Sequence, residues 1–95
     1  MLDGRDGPNV GPIAVSVTTT AVEAKVGASR LDERSVIAIQ ALDADVYYGF
    51  SNSVTSSTGF VIPEGVYAEL AFGDKVEVWL VAVSGSVDVR IAEIS

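Results

Sequence analysis

The residue types that most often carry out catalysis are missing from this sequence. Histidine and cysteine are both absent, which removes the most common general base, the most common transition-metal ligand and the thiolate nucleophile. Thirteen acidic residues leave a two-carboxylate mechanism of the glycosidase type conceivable. Most of these acids, however, stand in predicted turns or at outward strand positions, as a solvated surface requires. We therefore predict that the chain is not an enzyme.

The best candidates for a metal site are three aspartates. Asp43, Asp45 and Asp74 could supply hard oxygen ligands for calcium, but their spacing lacks the full ligand ladder of a calcium loop. Aspartates are more typical of turns, where the short carboxylate accepts a hydrogen bond from a nearby backbone amide. The glycines do not follow a phosphate-binding pattern. The sequence predicts neither a metal nor a cofactor.

Charge narrows the classes of partner. The formal net charge is −7 and the six basic residues are scattered, so a phosphate backbone would be repelled and nucleic-acid binding is not expected. No apolar run approaches the roughly 20 residues of a membrane helix, and the N-terminus lacks the pattern of a secretory signal. We expect synthesis in a cytoplasm, with no nucleic-acid and no membrane partner.

The elements that must position any functional residue are predicted to be strands. Valine and isoleucine dominate the apolar residues, and stretches of period-two alternation are separated by turn signals. We predict an all-β fold, a small antiparallel sandwich or barrel; a jelly roll, an immunoglobulin-like sandwich and an open barrel all remain possible. Residues 1–12, rich in glycine and proline, are predicted to be a flexible arm, and residues 13–95 a single β-domain.

Two pairs of neighbouring strands look like hairpins. The buried strand predicted over residues 35–42 and the strand over residues 46–50 are separated by a short turn, which makes a hairpin plausible. Near the C-terminus, Ser84 and Gly85 stand between two apolar strands as a two-residue hairpin loop would. The turn at residues 63–65 has proline and glycine where a tight turn needs them.

Two candidate contact surfaces emerge from this pattern. If Val76, Val78, Leu80 and Ala82 face the core, then Trp79, Val81 and Val83 must point outward. That outward set is apolar, so it either contacts another subunit or lies beneath a second sheet. The candidate interface residues are Tyr67, Trp79, Val81 and Val83. The candidate contact loop is rich in hydroxyls and contains Ser51, Asn52, Ser53, Thr55, Ser56, Ser57 and Thr58.

Several stretches carry a resemblance to a known group. They are VGASRL at residues 26–31, VYYGFS at 46–51, SVT at 53–55, GF at 59–60 and GSVDVRIAE at 85–93. Over roughly residues 15–95 the chain resembles small virion proteins of tailed bacteriophages. The resemblance is a pattern of turns and strands, and the segment from Pro63 to Tyr67 departs from it.

The resemblance implies a structural role in a virus particle. The expected function is that of a capsid decoration or cement protein, which would bind the major capsid protein and assemble as a trimer or hexamer in the virion. One alternative is a tail, neck or fibre-attachment component. A second is a carbohydrate- or ligand-binding module, suggested by the hydroxyl-rich loop and by Tyr47, Tyr48, Tyr67 and Trp79.

Overall fold

A computed structural model describes residues 9–95, which form two four-stranded antiparallel sheets packed against each other. The strands are β1 (Asn9–Val17), β2 (Val22–Glu23), β3 (Val36–Ala41), β4 (Val46–Gly49), β5 (Phe60–Ile62), β6 (Tyr67–Leu70), β7 (Trp79–Val81) and β8 (Val87–Ile94). The predicted all-β fold is confirmed. Over the described range, no helix is long and apolar enough to cross a membrane.

The strand order is that of a jelly roll. The first sheet has the order β1-β8-β3-β6 and the second the order β2-β7-β4-β5. Among the described strands, every connection crosses from one sheet to the other except that between β4 and β5. Repeated crossing of this kind is the two-Greek-key pattern of an eight-stranded double sheet. The jelly roll is therefore selected from the three topologies that the sequence left open.

Both hairpins predicted from sequence are wrong. β3 pairs with β6 and β8 in the first sheet, whereas β4 pairs with β5 and β7 in the second. The turn at Ser84–Gly85 likewise carries the chain from β7 in the second sheet to β8 in the first. A short turn between two apolar strands has the same residue preferences whether it joins two paired strands or carries the chain from one sheet to the other. Which strands pair is decided by the non-local ladders, which a local pattern does not report.

The predicted boundary of the N-terminal arm is also wrong. Residues 9–12, assigned to the arm, belong to β1, where Asn9 pairs with Ile94. The register shifts between Val10 and Ile13, and Gly11 between them has a φ of 93°. A Cβ at Gly11 would lie 2.8 Å from a backbone oxygen of β8, so the glycine permits a bulge in close contact with the neighbouring strand. Residues 1–8 of the predicted arm lie outside the described residues.

The core lies between the sheets and follows the predicted alternation. Val78 and Leu80 are completely buried, and Ala82 is 3% exposed. Val76 is half-buried and packs against the same core. The largest partners from the first sheet are three fully buried isoleucines of β3 and β8: Ile37, Ile39 and Ile91.

An ion pair is buried at one end of this core. The guanidinium of Arg34 donates to the Glu93 carboxylate at 2.8 Å, and both side chains are fully buried. Arg34 also donates to the backbone oxygens of Phe72, Gly73 and Val76, at 3.0, 2.7 and 2.8 Å. The arginine therefore ties the connection before β3 to the connection between β6 and β7.

Glu93, the acidic partner, holds the long connection between β2 and β3. Its two carboxylate oxygens accept hydrogen bonds from the amides of Val26 and Leu31, at 2.9 and 3.1 Å. Across the described residues, no buried side-chain nitrogen or oxygen lacks a hydrogen-bond partner. The two charged groups thus pair with each other and also form hydrogen bonds with backbone groups of two connections. A buried charge is tolerated when it is paired and hydrogen-bonded in this way.

Arg30 fastens the same connection at a second point. It donates to the Glu23 carboxylate at 2.7 Å and to the backbone oxygen of Asp74 at 2.7 Å. This hydrogen bond to the Glu23 carboxylate raises the pKa of Arg30 above its ordinary value. Residues 28–34 therefore belong to a connection that specific arginine contacts hold in place.

Replacing Gly85 by valine is expected to lower the free energy of unfolding by about 1–2 kcal/mol. Gly85 has a φ of 59°, a left-handed conformation that a β-branched residue adopts only with strain. Nothing lies within 4 Å of an added Cβ, so the cost comes from the backbone alone. Urea denaturation measures the change.

Gly27→Val is the matched control for Gly85→Val. Gly27 does not have a left-handed φ, and an added Cβ would meet only the Ser29 backbone oxygen, at 3.8 Å. We expect this variant to be at least as stable as the parent, because valine restricts the unfolded chain more than glycine does. Equal destabilisation of the two variants would contradict the assignment of strain to Gly85.

Candidate functional site

Four aromatic rings form a cluster that joins the two sheets at one edge of the sandwich. The aromatic cluster consists of Tyr48, Phe50, Phe60 and Phe72. Tyr48 and Phe60 have ring centroids 5.4 Å apart, and Phe50 meets Phe72 edge-on at 5.2 Å. Two of the rings remain largely in solvent, since Phe50 is 49% and Phe60 61% exposed. Exposed rings on an otherwise acidic surface are the strongest sign of a contact site in the described chain.

The strand ladders explain why these rings meet. Tyr48 lies opposite Leu80 of β7 and packs against the core, and Phe60 of β5 lies directly opposite Tyr48. Phe50 follows the end of β4. Phe72 follows β6 in the other sheet, where its amide donates to the Leu70 oxygen at 2.8 Å. Edge strands of both sheets therefore contribute to one cluster.

The predicted contact loop is the connection between β4 and β5, next to these rings. All its predicted contact residues are exposed except Ser56, which is half-buried. Its hydroxyls bond mainly within the loop. Ser51 and Ser53 share a hydrogen bond of 2.7 Å, and Thr55 and Thr58 one of 3.1 Å. The loop is therefore a preformed structure, and these four hydroxyls are already engaged.

Val54 fixes the loop against the base of the β4–β5 hairpin. A Cβ at Gly49 would lie 2.6 Å from a methyl carbon of Val54, and a Cβ at Gly59 would lie 3.0 Å from the same methyl. Both positions must therefore be glycine for the valine to pack so closely on the backbone. The Val54 amide also donates to the Ser51 oxygen at 3.2 Å. This packing holds the hydroxyl-rich loop beside the aromatic cluster.

Loop and rings enclose a shallow cavity of about 210 Å³. Its lining includes Tyr48, Phe50, Phe60, Ser51, Ser53 and Thr58, and no charged residue lines it. We call Phe50, Phe60 and the exposed side of residues 51–58 the loop-and-ring surface. It can bury aromatic area without desolvating a charge, which favours protein contact over charge-driven recognition. The composition of the sequence marks the loop, but not the cavity that the loop forms with Phe50 and Phe60.

The four predicted interface residues do not form one surface. Tyr67 lies at the edge of the first sheet, whereas Trp79 and Val83 belong to the β7 region of the second. Val83 is 61% exposed, and Trp79 is half-buried with its indole N–H donating to Glu77 at 2.8 Å. Val81 is only 3% exposed, so its assignment to the interface is wrong.

The reason for the burial of Val81 is its position inside the sheet. β7 lies between β2 and β4, and Val81 is directly opposite Tyr47. Alternation sets the side of the sheet on which a side chain lies, but the neighbours on that side determine its exposure. A short valine beside the larger Tyr47 and Trp79 is left with little contact with water.

The three aspartates considered as metal ligands each accept a hydrogen bond from a backbone amide. The donors to Asp43, Asp45 and Asp74 are the amides of Asp88, Glu64 and Glu33, at 3.0, 2.8 and 3.1 Å. These amides are distant in sequence rather than local, so the carboxylates join separate loops. Over residues 9–95, no group of three or more acidic side chains is placed to hold a metal ion.

Comparison of the chain with models of protein families, with curated proteins and with solved structures found no match in any of the three. The resemblance to phage virion proteins thus stays a prediction from the sequence. A function has to be inferred from the jelly roll and from the loop-and-ring surface.

Proposed function

We propose that the chain is a structural virion protein of a tailed bacteriophage, specifically a capsid decoration or cement protein that binds the major capsid protein. The observation that carries the proposal is the pair of exposed rings, Phe50 and Phe60, on a preformed loop surface. Aromatic side chains are enriched in the contacts that contribute most to protein–protein affinity. The alternative role within the particle is a tail, neck or fibre-attachment component.

The energetics of the loop-and-ring surface suit attachment to a protein. Each square ångström of apolar surface removed from water contributes roughly 25 cal/mol, and the two rings are 49% and 61% exposed before any contact. The internal hydrogen bonds of residues 51–58 order the loop in advance, so little additional entropy is lost on binding. The surface is therefore preorganised for a rigid partner.

Charge adds a condition on the partner. With a net charge of −7, the chain repels its own copies at long range and favours a neutral or basic rim around the contact. Repeated copies of a capsid protein would present such a rim many times, so a decorating trimer or hexamer would gain avidity from each subunit. Avidity therefore favours an oligomer on the particle, although the net charge of −7 opposes contact between its subunits.

The fold is compatible with this role without establishing it. Jelly rolls occur in viral capsid domains and in lectins, and a fold does not by itself assign a function. A carbohydrate-binding module is thus the second candidate, and a cavity of about 380 Å³ on the first sheet favours it.

The location of the protein in the particle is the first test. Heads that lack tails and isolated tails of the phage that encodes the chain would be purified and probed by mass spectrometry. A decoration protein is expected in the heads at a copy number comparable with that of the capsid protein. Detection in tails alone supports the tail alternative, and absence from both overturns the virion proposal.

Phe60→Asp is expected to reduce binding to heads stripped of the native protein more than tenfold, which is the effect of losing an interface hot spot. Val83→Asp is the matched control, because both residues are 61% exposed and both changes add one negative charge. Sedimentation of the heads gives the bound fraction. If the two variants bind equally well, the loop-and-ring surface is not the attachment site.

A further inference from the structure

The outer face of the first sheet contains a trough that the proposed attachment does not use. Its volume is about 380 Å³, and Ala38 and Ala92 are among the residues that line it. These two alanines are directly opposite each other on β3 and β8. Their side chains are single methyl groups, so the sheet surface is lower here than at the larger residues around them. We call this depression the alanine-floored trough. A pocket of this size accommodates a small ligand.

One wall of the trough is a row of side chains that crosses three strands. Tyr67 of β6 is opposite Gln40 of β3, and Gln40 is opposite Arg90 of β8. All three line the trough. Pro12 and Ile94 complete the lining. The trough therefore has an aromatic ring at one end of its wall, an amide in the middle and a guanidinium at the other end.

Two carboxylates hold the polar groups of this wall in place. The Tyr67 hydroxyl donates to Glu69 at 2.8 Å, and the Arg90 guanidinium donates to Asp88 at 2.6 Å. A ligand would thus meet both hydrogen-bond donors and acceptors beside an apolar floor. The tyrosine is 56% exposed, so its ring is accessible for stacking.

The apolar floor and the hydrogen-bonding groups beside it together favour one class of ligand over others. A phosphate or another strong anion is disfavoured, because Glu69 and Asp88 stand beside the wall and the chain carries a net charge of −7. A purely apolar ligand would desolvate the Gln40 amide and the Arg90–Asp88 pair without offering them new hydrogen bonds. A neutral sugar ring meets both requirements, since its C–H face can lie on the floor and on Tyr67 while its hydroxyls both donate and accept.

We propose that the alanine-floored trough binds a neutral saccharide, with Tyr67 stacking on the ring and with Gln40 and Arg90 bonding to its hydroxyls. The site lies on the outer face of the first sheet, whereas the loop-and-ring surface lies by the β4–β5 hairpin of the second. Sugar binding is therefore independent of attachment to a particle, and either property can fail without the other.

The test is titration of the isotope-labelled protein with single sugars, followed by NMR of the backbone amides. The probes are D-glucose, D-galactose, D-mannose, L-rhamnose and N-acetyl-D-glucosamine, each raised to high millimolar concentration. At least one is expected to shift the amides of Ala38, Gln40, Tyr67 and Ala92, and to leave those of residues 51–58 unchanged.

Two variants locate the binding. Tyr67→Ala is expected to weaken binding about tenfold by removing the stacking surface. Ala92→Ile is expected to abolish it by filling the floor with a residue that strands favour. Val83→Ala, which trims an exposed side chain elsewhere, should bind as the parent does. Failure of all these sugars to bind, binding that both trough variants retain, or shifts centred on residues 51–58 would each overturn the proposal.

Discussion

Arg34→Met is expected to lower the free energy of unfolding by about 3–5 kcal/mol, because it leaves the Glu93 carboxylate buried without its charged partner. The backbone oxygens of Phe72, Gly73 and Val76 also lose their donor. Methionine keeps much of the length of the side chain, so the loss reflects charge and hydrogen bonding more than volume. Urea denaturation followed by circular dichroism measures the change.

Arg90→Met provides the comparison for this prediction. Arg90 is likewise paired with a carboxylate, at 2.6 Å from Asp88, but the two side chains are 39% and 50% exposed. Exposed pairs contribute about 0.2–1 kcal/mol, so this variant should remain close to the parent. Similar losses in the two variants would show that burial of the Arg34–Glu93 pair is not what makes it important.

A double variant separates the charge from the hydrogen bonds. Adding Glu93→Leu to Arg34→Met removes the unpaired carboxylate, and we expect it to recover part of the lost stability. Recovery should be incomplete, since the amides of Val26 and Leu31 and the three loop carbonyls remain without their partners. A double variant less stable than Arg34→Met would contradict this account.

Local patterns in the sequence predicted the strands well. The alternation from Val76 to Ala82 identified the core face of the β7 region, and the apolar run at residues 35–42 identified β3. These predictions succeed because the side-chain period of a strand is intrinsic to its backbone. They need no knowledge of which strand lies alongside.

Pairing and burial were harder, because both depend on residues far apart in the chain. The turn at Ser84–Gly85 was recognised, but that it joins different sheets follows from the ladders of β8 with β1 and β3. The Arg34–Glu93 pair joins residues 59 positions apart, so no local pattern marks it. Charged residues in a connection are ordinarily solvated, and their sequence gives no sign of burial.

In the candidate sites, too, some features follow from the local sequence and others depend on strand pairing. The hydroxyl-rich loop could be identified from composition, whereas its contact with Phe50 and Phe60 depends on how β5 returns beside β4. Two glycines that look like ordinary loop residues, Gly49 and Gly59, turn out to provide space for Val54. The trough was invisible in the sequence, since its lining comes from four strands of one sheet.

The two proposed sites place different demands on the fold. The loop-and-ring surface is built on a hairpin that Val54 and internal hydrogen bonds keep rigid, and the trough is built on the central ladder of the first sheet. A particle protein attached through the first would leave the second free to face the surroundings. Attachment and saccharide recognition are therefore compatible in one subunit.

Val81→Asp is expected to destabilise the protein by about 3 kcal/mol or more, since a carboxylate would replace a buried methyl-bearing side chain without a partner. Val81 is 3% exposed, in a strand paired on both sides. Chemical denaturation would give the loss, or circular dichroism would show that the variant does not fold. The expected effect is large because β7 supplies Leu80 and Val81 to opposite sides of the sheet, and both are buried.

Val83→Asp introduces the same charge two residues later at a position 61% exposed. It is expected to change the free energy of unfolding by no more than about 0.5 kcal/mol, as surface substitutions usually do. The pair tests whether alternation or local cover controls exposure, since Val81 lies in β7 and Val83 in the turn that follows it. If alternation alone controlled it, both valines would be solvated and both variants would be as stable as the parent. A large loss at Val81 with none at Val83 means that the neighbours of Val81, among them Tyr47 and Trp79, shield it from water and from any partner.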